Sequence, residues 1–193
     1  IVGKSTGYIV ACQNTAEISN LKENSNDEEF AGGIVAILET ATIENSKNTG
    51  NVIGSTNIGG IAGESKGTIT QCRNDGQVSK VVGVICKTVN LGGLVGKNGE
   101  AARLSNSKNY GNVNSETDTL VNLGGICGIL YNNSIVELCE NNGAISGSGK
   151  EIIPNEDTNT NCASCTSNNG GSASTDDFGQ LNIGIIYGKY QEI

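Results

Sequence analysis

The sequence predicts an all-β fold, a β-solenoid and most simply a right-handed parallel β-helix of about five rungs. Three observations carry this prediction. A glycine-bounded apolar block recurs along the chain, a second motif follows it with constant internal spacing, and the apolar segments are only three to five residues long. No apolar period of 3.6 persists for three helical turns, so short strands rather than helices fit the pattern. Head-to-tail units of equal internal spacing stack most simply as parallel strands about 4.8 Å apart, and parallel crossovers are strongly biased to one hand.

The first recurring element is the double-glycine block. It reads Gly32-Gly33-Ile34-Val35-Ala36, Gly59-Gly60-Ile61-Ala62-Gly63, Gly92-Gly93-Leu94-Val95-Gly96 and Gly124-Gly125-Ile126-Cys127-Gly128, with a weaker copy at Gly184-Ile185-Ile186-Tyr187-Gly188. The opening Ile1-Val2-Gly3-Lys4 matches the second half of this block, as in Leu94-Val95-Gly96-Lys97. A chain that begins inside a repeat and contains no methionine is expected to be a processed chain or an excised piece, with any leader or anchor outside it.

The second element begins with an aliphatic residue at Ile9, Ile43, Ile69, Leu104 and Val136. Three positions on stand Cys12, Ser46, Cys72, Ser107 and Cys139, and five positions on stand Asn14, Asn48, Asn74, Asn109 and Asn141. Ala16, Gly50, Gly76, Gly111 and Gly143 follow, and then Ile18, Val52, Val78, Val113 and Ile145. The copies recur about every 32 residues, a period that suits solenoids whose units contact only their neighbours. Strands are expected at 9–12, 34–36, 43–46, 61–63, 69–72, 94–96, 104–107, 126–129 and 136–139. In such a stack each aligned position becomes a ladder along the axis. The aliphatic residues form core columns, the asparagines form an amide ladder at an inward turn, and the glycine two places later supplies a positive φ.

The connections vary in length and hold the acidic clusters, so they read as solvated loops. The whole chain, 1–193, reads as one repeat domain. A long polar connection lies at about 146–182, before a degenerate final copy at 183–193. Capping of the terminal rung is its first expected role, with Phe178 over the aliphatic stack.

Composition excludes several classes of function. Twelve basic against 20 acidic side chains give a net charge of −8, which repels a phosphate backbone, so no nucleic-acid partner is expected. No apolar run approaches the roughly 20 residues of a spanning helix, so no membrane insertion is expected within this segment. Twenty-eight glycines with one proline and no Gly-X-Y period exclude collagen and place glycine in turns.

The pattern Gly-Gly-(Ile/Leu)-x-Gly, a variable turn, an aliphatic residue, x-x-Cys, x-Asn-x-Gly-x-Val resembles the GLUG motif. It is most literal from Gly59-Gly60-Ile61-Ala62-Gly63 through Gln71-Cys72-Arg73-Asn74-Asp75-Gly76-Gln77-Val78. The resemblance covers essentially the whole chain except roughly 146–182. It implies an extracellular place, secreted or attached to the surface of a bacterial cell, in adhesin-like proteins or in the non-catalytic repeats of IgA-specific metallopeptidases. A binding or spacer role follows, with a partner that is a protein or glycan of a host or neighbouring cell. It supplies no catalytic residues.

The candidate chemistry is sparse. Of seven cysteines, Cys12, Cys72 and Cys139 alternate with Ser46 and Ser107. They therefore lie two rungs, or about 9.6 Å, apart and read as buried free thiols beyond disulfide reach. Cys127 takes the place of Ala62 and Val95. Cys162 and Cys165 sit in the long connection, outside the ladders. A local disulfide is the first reading there, free thiols the second and a redox dithiol the third. With no histidine and no second Cys-x-x-Cys, zinc lacks ligands. Asp157-Thr158-Asn159-Thr160-Asn161 imitates the opening of a calcium loop, but its sixth position is Cys162 and its twelfth Asn168. No metal, cofactor or catalytic residue is expected. Lys47, Arg73 and Lys108 occupy equivalent outward positions on three successive rungs, a stripe that could bind an anionic glycan or acidic partner. The enzymatic alternative, a polysaccharide lyase or hydrolase on a β-helix, requires convergent carboxylates and basic groups, and the repeat strands carry almost none.

Overall fold

The computed structural model describes residues 2–20, 28–82, 86, 88–115, 120–131, 133–154, 162–163, 165–167, 171–184 and 187–191. Among them there is no helix, and the strands form four parallel sheets. One turn of the coil shows the plan: Asn57–Gly59, the double-glycine corner, Ala62–Ser65, Thr68–Thr70, Arg73–Asn74 and Val78–Lys80. Sheet 1 stacks Ala62–Ser65 with its equivalents, sheet 2 Thr68–Thr70, and sheet 3 Arg73–Asn74; each has six strands. Sheet 4 has ten, because Gly171–Gly184 pairs both with Ile145–Pro154 and with Leu120–Gly124 and so joins two columns into one sheet.

The chain is thus a β-solenoid, with four complete five-strand turns at 30–54, 57–80, 88–115 and 120–154 and partial turns on either side. The expected count of five is one too high. The copy containing Ile9 has no described strand equivalent to Asn57–Gly59 before it. Strand bounds shift as well: Val35–Leu38 replaces 34–36 and Thr42–Glu44 replaces 43–46, and the strands of sheets 3 and 4 were not anticipated.

The register is that of the sequence alignment. Ile9, Ile43, Ile69, Leu104 and Val136 pair in one column and are buried, as are Ile34, Ile61, Leu94 and Ile126. The core nevertheless forms two clusters, one holding Ile61 and Ile69 and the other Ile58 and Val78. Asn74 explains the division. A Cβ on Gly60 would fall 2.2 Å from Asn74 Cγ, so the asparagine crosses the interior to touch the glycine corner, which has room only for hydrogen. That contact closes the loop 60–74 around the first cluster and leaves the rest of the turn to the second.

Gly76 corrects an expectation. Its φ lies outside the left-handed region, and it is glycine because a Cβ would sit 1.9 Å from the carbonyl oxygen of Gly50 on the turn before. Within the motif the left-handed backbone lies instead at Ala11, Asn45, Gln71, Asn106 and Leu138, the residue before each small Cys or Ser, and elsewhere at Ala101 and Asn133.

The 146–182 segment is also corrected. Cys162 pairs with Val136, Ser167 with Asn141 and Gly171 with Ile145, so the segment carries a further partial turn in the same register. Cys162 and Cys165 therefore belong to the ladders, at the aliphatic and small positions. The spacing +3, +5 and +9 is kept, while the residue types at those positions are not.

Candidate functional site

Asn14, Asn48, Asn74, Asn109 and Asn141 are all buried and form the expected ladder. Each Nδ2 donates to the Oδ1 of the next, at 2.8 Å from Asn14 to Asn48 and from Asn48 to Asn74, 2.9 Å from Asn74 to Asn109 and 2.8 Å from Asn109 to Asn141. The same Nδ2 donates to the carbonyl two residues on, as Asn74 does to Gly76 at 2.8 Å, and the amide of Gly76 returns a bond to Asn74 Oδ1. The side chain thus satisfies the turn it closes and the turn above it.

A second asparagine ladder was not foreseen. Asn122 Nδ2 donates to Asn90 Oδ1 at 2.6 Å, and Asn90 Nδ2 to Asn57 Oδ1 at 2.7 Å, so the amides run opposite to those of the first ladder. The signal was present two residues before each glycine pair, in Asn57-Ile58-Gly59-Gly60, Asn90-Leu91-Gly92-Gly93 and Asn122-Leu123-Gly124-Gly125.

The small column shows why Cys and Ser alternate freely. Ser46 Oγ and Ser107 Oγ donate to the carbonyls of Glu44 and Ser105, and Cys72 and Cys139 Sγ point at the equivalent carbonyls of Thr70 and Glu137. Cys12, Cys72, Cys127 and Cys139 are free thiols, as is Cys86, which is buried in the second core cluster. Burial pushes the Cys72 and Cys139 thiols up to about 11 and holds Cys127 well above the ordinary thiol range. Such thiols make poor nucleophiles at neutral pH. Cys165 packs against the first cluster and is disulfide-bonded; the side chain of Cys162, its expected partner, lies outside the described residues.

Lys47, Arg73 and Lys108 do align on adjacent strands of sheet 3, between Gln13 and Glu140. Each precedes a buried asparagine, and strand alternation turns it outward. All three have carboxylate partners: Lys47 and Arg73 share Asp75 at 2.9 and 2.6 Å, and Lys108 meets Glu140 at 2.8 Å. Arg73 also lies 4.2 Å from the centre of the Tyr110 ring. Burial raises the Asp75 carboxyl, but hydrogen bonds from Arg73 and Lys47 outweigh it and hold the group below the usual range. The surface is thus a column of three cations neutralised by Asp75 beside it and Glu140 at its end, with the Tyr110 ring against Arg73.

A more buried charge group sits on sheet 1, where Glu64 and Lys97 are register partners 3.5 Å apart, and Lys97 also meets Glu28 at 3.0 Å. Burial opposes the Lys97 charge, yet Glu28 and Glu64 keep its pKa raised. The dipeptides Gly63-Glu64 and Gly96-Lys97 mark these positions in the sequence.

As chemistry, these groups are ion pairs. The Glu39 and Asp75 carboxyls are held below the usual range, whereas a general acid is held up. No group of three His, Cys, Asp or Glu among the described residues is arranged to hold a metal, and Asp157 to Asn161 lie outside the described residues. No helix of the described residues is long and apolar enough to cross a membrane. No protein-family model, curated protein or solved structure matches the chain.

Proposed function

We propose that the chain is a non-catalytic extracellular repeat module of a bacterial cell-surface protein, supporting adhesion or spacing. The observation that carries this reading is the division of labour within each turn. The residues that repeat, such as Ile69, Asn74 and Gly76, are buried in stacking, while the residue types that change from turn to turn, Gln13, Lys47, Arg73, Lys108 and Glu140, form the outer face. A rod built this way keeps its shape while its surface chemistry varies, which suits display and spacing. The GLUG-like pattern supports the same reading, since one copy of the pattern corresponds to one turn. With charges paired locally and a net charge of −8, the face suits a mixed polar contact with a protein or glycan rather than a polyanion.

The test couples the intact chain to beads and measures their retention under flow on immobilised glycans and matrix proteins, with a reducing-end assay on soluble polysaccharides in parallel. Retention without turnover, or an inert rod that only spaces a second ligand from the bead, is the expected result. Release of new reducing or unsaturated ends would instead establish the polysaccharide enzyme.

A further inference from the structure

The geometry points to an internal water-binding site between Ser65 and Asn98, at the corner where sheet 1 passes into sheet 2. One column of sheet 1 runs Leu38, Ser65, Asn98, Leu130 in register on four successive turns. All four side chains are buried, and Leu38 and Leu130 belong to the first core cluster. The middle two turns therefore place polar groups where their neighbours place leucine.

Ser65 Oγ and both Asn98 amide atoms, Nδ2 and Oδ1, are fully enclosed and have no hydrogen-bond partner in the protein. Their own backbones are occupied elsewhere, as where the Gly99 amide donates to the Ser65 carbonyl at 2.8 Å. Enclosing three polar atoms without partners is strongly unfavourable, and such atoms in folded proteins are as a rule met by water.

Serine carries two heavy atoms fewer than leucine, a difference of about the size of one water molecule. Water fits the donor set, because it donates to Asn98 Oδ1 and accepts from Asn98 Nδ2 or the Ser65 hydroxyl. A calcium or magnesium ion does not, since the pair offers two neutral oxygens and no carboxylate.

The test is ¹⁷O magnetic relaxation dispersion of water in solutions of the intact chain, which counts water held longer than the tumbling time. The wild-type chain is expected to carry a slow component that falls by about one molecule in the S65L/N98L double variant, where leucine completes the column. Ser65→Ala, which keeps the fold and the space but removes one partner, is expected to shorten the residence time. A slow component absent from the wild type overturns the site. So does one that is unchanged in folded S65L/N98L, or unchanged in Ser65→Ala where the double variant fails to fold.

Discussion

Leu138 holds a φ of 51° at the position where Asn45 and Asn106 hold 50° and 49°. Asparagine tolerates this left-handed backbone and leucine pays a steric penalty, while the Leu138 side chain is exposed and contributes little packing in return. Leu138→Asn is therefore expected to raise the urea midpoint, corresponding to about 0.5–1 kcal/mol. A midpoint that falls would show that the exposed side chain is needed. The buried thiols give a second residue-scale prediction. Cys72 and Cys139 titrate near 9.0 when unfolded and about 11 when folded, so the unfolded chain loses these protons first as pH rises. The stability they protect is complete below pH 9 and is lost as pH climbs to about 11, on the order of 2 kcal/mol per thiol. Cys72→Ser with Cys139→Ser, copying Ser46 and Ser107, is expected to flatten the alkaline limb of melting temperature against pH. An identical limb in the variant would assign the loss to other groups.

Within one turn, the asparagine and the glycine corner form a single element. Asn74→Leu removes the bonds to Gly76, Asn48 and Asn109 and is expected to cost about 1–3 kcal/mol in a denaturant titration. Gly60→Ala places a methyl 2.3 Å from the Gly93 carbonyl oxygen as well as against Asn74, and is expected to destabilise more than Asn74→Leu does. The reverse order would contradict the close approach. Much of this element could be read in advance, because a position that must stack on itself every turn repeats in sequence. What escaped reading has physical causes. The Asn57 ladder lies before the glycine pair, within the connection whose variable length suggested a loop. The turn holding Cys162 and Cys165 keeps the spacing but not the residue types, so nothing in its composition marks it as a repeat. Gly76 pointed to a backbone angle when the constraint was the carbonyl one turn below. The cation column of Lys47, Arg73 and Lys108 was legible, with Glu140 at its end, but the pairing of Lys47 and Arg73 with Asp75 was not, because Asp75 stands outside that column.

For the whole molecule, each turn is held by the turns stacked on it. Cys162–Ala163 and Thr166–Ser167 lie on Val136–Glu137 and Glu140–Asn141, so deleting residues 150–178 strips the cover from sheets 2 and 3. The deletion chain is expected to melt at a lower temperature than the intact chain, because Val136 and Asn141 lose the turn stacked on them. Unchanged melting would show that the partial turn adds nothing to the stack. The fold as a whole rests on coaxial turns held by an inward asparagine ladder, and side-chain amide hydrogen exchange followed by NMR reads that ladder directly. The Nδ2 protons of Asn48, Asn74 and Asn109 are predicted to exchange slowly and together, near the rate of global unfolding, while that of exposed Asn45 exchanges freely. Exchange of the three ladder amides at the rate of Asn45 would contradict the solenoid register from which every other conclusion is built.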